Sequence, residues 1–376
     1  MENSAENTQQ LKMSKSSTAI ISGSSGENIQ LRSSGGNLQL INQRNAIVIG
    51  LFVGVAVSCL FLYHSVNPFE FLPSYSAYDF VPLFTKSEAA SLEGILKRAE
   101  MKNKTVIITT LSQAWAEPNS IFDVFLQSFR MGNGTRELLN HLVVVSLDPK
   151  AHNHCISSHP HCYALNTSGL DFSGSEKYFM TSEYLEMMWI RIRLLTNILQ
   201  LGYNFVFTDA DIVWLQNPFQ HFFPDADFQI ACDRYLGNPY DLQNSPNGGF
   251  NYVKSNNRTI EFYRYWYASR RSHPGLHDQD VLNKIKFHPY IKEIGIKIMF
   301  LDTKYIAGFC EVSRDFNAVC TMHANCCFGL QAKIRDLKLA LQDWKTFMQL
   351  PPNEKSLQRS WSVPNNCSLS AFHPPP

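Results

Sequence analysis

Read along the chain, the spacing of apolar positions changes several times, and each change predicts an element. Residues 1–45 show no periodic apolar pattern and are rich in Ser, Gly, Asn and Gln. Such a segment buries too little apolar surface to offset its chain entropy, which predicts a disordered tail. "AIVIGLFVGVAVSCLFLY", residues 46–63, is then an uncharged run of 18 residues. That length is near the lower limit for a helix that crosses a bilayer, so a single transmembrane signal anchor is expected. Residues 64–100 read as a stem, broken by Pro68, Pro73 and Pro82, with a short helix starting near Ser87.

Beyond the stem, strand-like and helix-like patterns alternate. "TVIITTL" (105–111) is a continuous β-branched run, as in a strand covered on both faces. "SIFDVFLQSFRMG" (120–132) has helical apolar spacing with Gly132 as its stop. "HLVVVSL" (141–147) predicts a second strand. "SEYLEMMWIRIRLLTNILQLG" (182–202) predicts a long helix, with Tyr184, Met188, Ile192 and Leu195 on one face, Ser182 as cap and Gly202 as stop. "NFVFTDAD" (204–211) is the next strand. The alternation predicts an α/β domain over residues 101–350, with a mixed, mostly parallel sheet flanked by helices, and a C-terminal tail over 351–376.

Charge adds a topology. Lys12, Lys15, Arg32 and Arg44 precede the apolar run, and no Lys or Arg lies between His64 and Thr85. The excess of basic residues on the first side predicts a cytosolic N-terminus, with everything after Tyr63 lumenal. Five N-x-S/T sequons beyond the run, at Asn103, Asn133, Asn166, Asn257 and Asn366, fit that side. So do eight cysteines beyond Cys59, an even count suited to an oxidising compartment. The net charge of +1 over 376 residues implies no nucleic-acid partner.

The chemistry begins at "NFVFTDADIV" (204–213), where Asp209 and Asp211 interrupt an apolar run. Buried carboxylates require a partner or a metal. Residues two apart on extended chain face the same side, and in an open sheet of this kind ligands sit at the C-terminal strand ends. Both carboxylates can therefore address one hard cation, Mn²⁺ or Mg²⁺, which binds oxygen ligands and often substrate phosphates.

"GYNFVFTDADIVWLQNPF", "NGGFNYVKSNN", "HDQDVLN" and "MHANCCFGLQAKIRDLKLALQDW" occur in that order. Together they resemble the plant nucleotide-diphospho-sugar transferases of glycosyltransferase family 77, over roughly residues 100–345. The resemblance implies a GT-A-like fold, a nucleotide-sugar donor expected to be a UDP-sugar, a metal held by the D-x-D, and retention of anomeric configuration. Relatives of this kind transfer arabinose, xylose or galactose to cell-wall glycans or glycoproteins in the Golgi, which would make this a single-pass type II Golgi membrane protein. By the same resemblance Asp211 is a direct metal ligand, Asp209 binds ribose or metal-bound water, and His323 is the C-terminal metal ligand. Lys333 corresponds, with a longer gap, to a Lys that meets the diphosphate. Thr109 and Thr110 end the first strand, where the nucleotide lies, and Arg193 resembles a nucleotide-supporting Arg.

Two further motifs fall to the donor sugar. In "NGGF" (247–250), Gly248 and Gly249 allow close backbone approach. In "HDQD" (277–280), Asp278 and Asp280 offer carboxylates to sugar hydroxyls or to the anomeric carbon, while Asp280 also suits a helix N-cap. "HNHCISSHPHC" (152–162) has the composition of a zinc site, but in an oxidising lumen a Cys155–Cys162 disulfide is the expectation. The cysteines of "CTMHANCC" are expected to form bridges that fix His323. Two rival functions fit parts of the pattern: a haloacid dehalogenase-type phosphohydrolase, whose strand-end D-x-D supplies a nucleophile, and a non-catalytic lumenal scaffold with a degenerate transferase fold.

Overall fold

In the computed structural model, residues 54–55, 57–58, 84–167, 169–355 and 360–367 are described. The chain divides into two units, Met1–Ser74 and Tyr75–Pro376, and the elements below belong to the second. Among the described residues no helix is long and apolar enough to cross a membrane. The expected tail (1–45) lies outside the described residues, as does nearly all of the expected span (46–63).

The β-branched run Thr105–Leu111 forms β1, which pairs in parallel with β2 (Leu142–Ser146) and β4 (Asn204–Thr208). Further along come β3 (Cys162–Ala164), β6 (Phe228–Arg234), β7 (Ser245–Val253) and β8 (Ile298–Phe300), giving the order β3-β2-β1-β4-β7-β6-β8. β7 runs antiparallel to both β4 and β6, and β6 pairs in parallel with β8. The sheet is mixed and mostly parallel, as expected, with its two antiparallel pairings on either side of β7. Alternate residues of β1 serve two cores. Val106 and Ile108 face one apolar layer with Phe205, Leu195 and Trp266; Ile107 and Leu111 face the other with Val206, Trp214 and Trp344. Burying each such side chain is worth about 1.5–3 kcal/mol.

Among the described residues the longer helices are α1 (Lys86–Ala99), α2 (Ile121–Met131), α3 (Pro149–Ser158), α4 (Ser182–Gln200), α5 (Asn257–Ser269), α6 (Asp278–Ile285) and α7 (Leu330–Met348). α1 starts from a Thr85–Glu88 capping box and buries Leu92, Leu96 and Ala99 completely, so this part of the expected stem belongs to the globular unit. α4 begins one residue earlier in its cap than expected: Thr181, not Ser182, accepts the Tyr184 N–H. It is buried on almost every side from Met188 to Leu199.

A second, three-stranded sheet has the order β5-β10-β9, from β5 (Ile212–Trp214), β9 (Ile306–Gly308) and β10 (Thr321–His323). It starts directly after the D-x-D. Three disulfides are formed, Cys155–Cys162, Cys310–Cys326 and Cys327–Cys367. Of the cysteines flanking His323, Cys326 and Cys327 are bridged as expected, whereas Cys320 is a buried free thiol, as is Cys232.

The C-terminal tail is also tied down over 360–367. Asp336, fully buried on α7, accepts the backbone N–H groups of Asn365, Asn366 and Cys367 and the Asn366 side-chain amide, at 2.7–2.9 Å. Burial alone would raise its carboxyl, but these donors outweigh that and hold it below its ordinary value. The ionised form is thus the one the fold prefers, and its contribution is complete above about pH 4 and fades as pH falls through the lower folded-state value. Asp336→Ala is expected to cost about 3 kcal/mol at neutral pH, because it strands one buried donor, the Cys367 N–H, and three part-buried ones. In urea titrations the wild-type and variant midpoints should converge in acid, and a constant gap at all pH values would refute the assignment.

Candidate active site

β4 delivers the D-x-D to the edge of the second sheet. The Asp209 N–H donates to the Gly249 carbonyl at 2.7 Å, and the Ala324 N–H donates to the Asp211 carbonyl at 3.0 Å. Antiparallel pairing of β5 with β10 sets His323 opposite Ile212, beside Asp211. One ligand atom from each of Asp209, Asp211 and His323 then lies within 4.8 Å of the others. α7 brings Lys333 from its first turn, with Nζ 2.6 Å from Asp211 Oδ2.

Asp211 is 1% exposed. Burial would raise its carboxyl, but the Lys333 ammonium and then His323 outweigh burial and hold it well below the usual carboxylate range. Its buried Oδ1 is paired with His323 Nε2 at 3.1 Å and has no other partner among the described residues. An ionised, buried oxygen with one imidazole beside it and no other donor is what a cation would satisfy. Asp209 differs: burial raises its carboxyl, against the Arg191 guanidinium 3.0 Å away.

Gly249 closes the other side. A Cβ there would stand 2.5 Å from His323 Cε1 and 2.6 Å from Asp209 Oδ2, so any other residue would push two of the three ligands apart. At Gly248 a Cβ would approach the Arg191 guanidinium at 3.3 Å. Both glycines make room for the side chains of the site itself.

Arg191 links the D-x-D to α6. Its Nη1 donates to Asp209 and its Nη2 to Asp278 Oδ2, with Arg191 5% and Asp278 1% exposed. Asp278 is therefore a buried counter-ion, held ionised against its own burial by Arg191 and His277. His277, not Asp280, caps α6 by accepting the Gln279 N–H. Asp280 is a correction: it lies on the exposed side of the first turn, paired with His277 Nε2 at 3.3 Å, and does not line the cleft.

Two other expectations are corrected by geometry. Arg193 does not line the cleft; its guanidinium sits 5.7 Å from the Tyr267 ring. Two residues along a helix turn a side chain by about 200°, so Arg191 and Arg193 face opposite ways. Thr110 lines the cleft, but Thr109 is fully buried on the other face of β1.

The cleft has a volume of about 740 Å³. One lining residue that sequence reasoning missed is Asp233, at the end of β6. It accepts side-chain amide N–H groups from Asn247, Gln279 and Asn325, each at 2.8 Å. The Gly248 N–H in turn holds Gln279 Oε1 at 2.9 Å. The signal lay only in "NGG" and "DQD", whose polar neighbours Asn247 and Gln279 close this network. Asp209, Asp211, Asp233, Asp278 and Glu176 line the cleft against the fixed cations Arg191, Lys177 and Lys333. That excess of carboxylates suits a cation, not a bare diphosphate.

The profile of the nucleotide-diphospho-sugar transferase family matches residues 137–337, just over half of the chain. The chain belongs to the nucleotide-diphospho-sugar transferase family. It is a glycosyltransferase, and the phosphohydrolase alternative is set aside. An uncharacterized Arabidopsis thaliana protein is 51% identical over 283 residues, which span 75% of each chain. The UDP-D-xylose:L-fucose alpha-1,3-D-xylosyltransferase 3 of the same plant is 25% identical over 61% of this chain and 58% of its own length. An arabinosyltransferase, also from Arabidopsis thaliana, is 26% identical over 70% of this chain and 58% of its own. A nucleotide-sugar donor follows from membership of the family.

Arg191→Met should leave the buried Asp278 carboxylate, and the part-buried Asp209 beside it, without their shared cation, at a cost of about 3–5 kcal/mol carried mainly by Asp278. Chemical denaturation of Arg191→Met, of Asp278→Leu and of the double variant Arg191→Met/Asp278→Leu checks this. The double variant is expected to lose less than the sum of the two single changes, and strict additivity would show that the pair does not act as a unit.

Proposed function

We propose that this transferase moves a pentose or galactose-class sugar from a UDP-sugar to a glycan or glycoprotein acceptor, with a divalent cation, Mn²⁺ or Mg²⁺, at Asp209, Asp211 and His323. The observation that carries the reading is the buried Asp211 Oδ1, which is paired only with His323 above a glycine that leaves room. A carboxylate–carboxylate–imidazole set suits Mn²⁺, which accepts oxygen and imidazole ligands. When bound, the cation supplies charge neutralisation for a diphosphate leaving group.

The chain's own residues do the rest. In the transfer the bond between the anomeric carbon and the donor's phosphate oxygen breaks, a bond to an acceptor hydroxyl oxygen forms, and the hydroxyl proton passes to the departing diphosphate. Lys333 keeps Asp211 ionised and, lining the cleft beside it, offers a positive charge to a departing diphosphate. Asp233, half-buried and aimed by three amides, is placed to accept hydrogen bonds from sugar hydroxyls. Asp278 acts through Arg191, fixing the guanidinium that orients Asp209. Retention of configuration follows the family resemblance.

The xylosyl- and arabinosyltransferase relatives support the choice of donor class. The uncharged run at 46–63 and the basic residues before it support anchorage as a type II protein of the Golgi membrane. Three disulfides support an oxidising compartment.

Hydrolysis of a panel of UDP-sugars by full-length protein, with Mn²⁺ or with chelator, tests the proposal. One donor should be turned over only with metal. Asp211→Asn and Gly249→Ala should each lower that rate by at least about 100-fold, the scale of losing one transition-state charge contact. UDP binding with no turnover of any donor would favour the scaffold reading.

A further inference from the structure

The floor of the cleft is polar, but its mouth is not. Tyr178, Phe179 and Phe328 line the cleft and are 55%, 49% and 48% exposed. Phe179 stands among Tyr184, His277 and Phe328 with ring centroids 5.3, 5.3 and 5.9 Å away, each at a steep interplanar angle. Exposed aromatic rings on one rim of a cleft point to a ligand.

These rings are held in place from both sides. Glu176 Oε2 accepts the Leu330 N–H at 2.9 Å, and the Gly174 N–H donates to Gln113 Oε1 at 2.8 Å. Phe328 directly follows Cys326 and Cys327, which are bridged to Cys310 and Cys367. The platform is thus fixed before any ligand arrives, which limits the entropy lost on binding.

The geometry points to an acceptor platform: Phe179 and Phe328, with Tyr178, receive the apolar C–H face of a neutral acceptor sugar at the mouth of the cleft, and its hydroxyls turn inward. This rests on the transferase reading above. A sugar ring carries hydroxyls around its edge and C–H bonds on its face. A rim of aromatic rings above a floor of carboxylate and amide groups matches both. The charged rim residues, Glu176 and Lys177, are of opposite sign and already engaged, the latter with the Ser173 carbonyl at 3.1 Å. That leaves no net charge for an anionic acceptor. An extended peptide would seek an open strand edge, but β4 and β7, which border the cleft, are paired on both sides.

The test presents methyl arabinofuranoside, methyl xylopyranoside, methyl galactopyranoside and a short oligoproline peptide to full-length protein, with and without UDP and Mn²⁺. Saturation-transfer NMR from aromatic protons reports the contact. At least one glycoside should receive saturation on its ring C–H groups. Phe179→Ala and Phe328→Ala should each weaken it at least fivefold, Phe179→Tyr should retain it, and UDP affinity should stay within twofold in all three. No glycoside contact in wild type, oligoproline contact in its place, or unchanged binding in both alanine variants would overturn the platform. The glycoside result is read without UDP as well, so failure of UDP to bind would count against the donor reading alone.

Discussion

The structure turns on one buried charge, the carboxylate of Asp211. It is 1% exposed, one oxygen is held by Lys333 and the other faces His323. A carboxylate at that depth persists only where partners are placed with care. Two elements more than 100 residues further along the chain supply them: the strand β10, with His323, and the first turn of α7, with Lys333. The antiparallel pairing of β5 with β10 fixes His323 to within one residue of register, since a slip by one would turn it to the opposite face. The disulfides at Cys326 and Cys327 follow at once and lead into α7, so Lys333 is held by the same short stretch of chain.

Arg191 extends this constraint across the cleft. It ties Asp209 to Asp278, and Gln279, next along α6, reaches Asp233. Polar groups from α4, β4, β6, β7 and α6 thus form one connected arrangement, in which the glycines of β7 supply the space. Substitution of Arg191, Asp233, Asp278 or Gln279 is transmitted to the D-x-D through hydrogen bonds, because these buried and part-buried groups satisfy each other, whereas a side chain at Gly249 would act on it directly by crowding.

Much of this was legible in the sequence, for physical reasons. The β1 and β4 runs are strongly β-branched or aromatic, and the long α4 pattern ends at Gly202, which indeed adopts a positive φ of 83°. The two carboxylates stood out because an apolar strand ran into them, and "NGG" because glycine pairs are costly without a reason. Other features left no such trace. Arg191 and Arg193 could not be told apart because α4 is buried nearly all round, so its periodicity marks no solvent face. The strands of the second sheet have three residues each, too few for a period of two to emerge. Asp233 sits in no motif, since its amide partners come from separate segments. For Thr109 and Thr110 the sequence marks the strand end but not which face of β1 the cleft borders, and only Thr110 lies on that face.

The central claim is that Asp209, Asp211 and His323 hold a divalent cation. Pulsed EPR of Mn²⁺ added to the full-length protein tests it most directly, because the electron spin senses a coordinated imidazole nitrogen. One tightly bound Mn²⁺ is predicted, with nitrogen coupling from a single imidazole. The coupling should vanish in His323→Ala, and the tight site itself should vanish in Asp211→Asn. Bound Mn²⁺ that shows no nitrogen coupling, or a coupling that survives His323→Ala, would contradict the account.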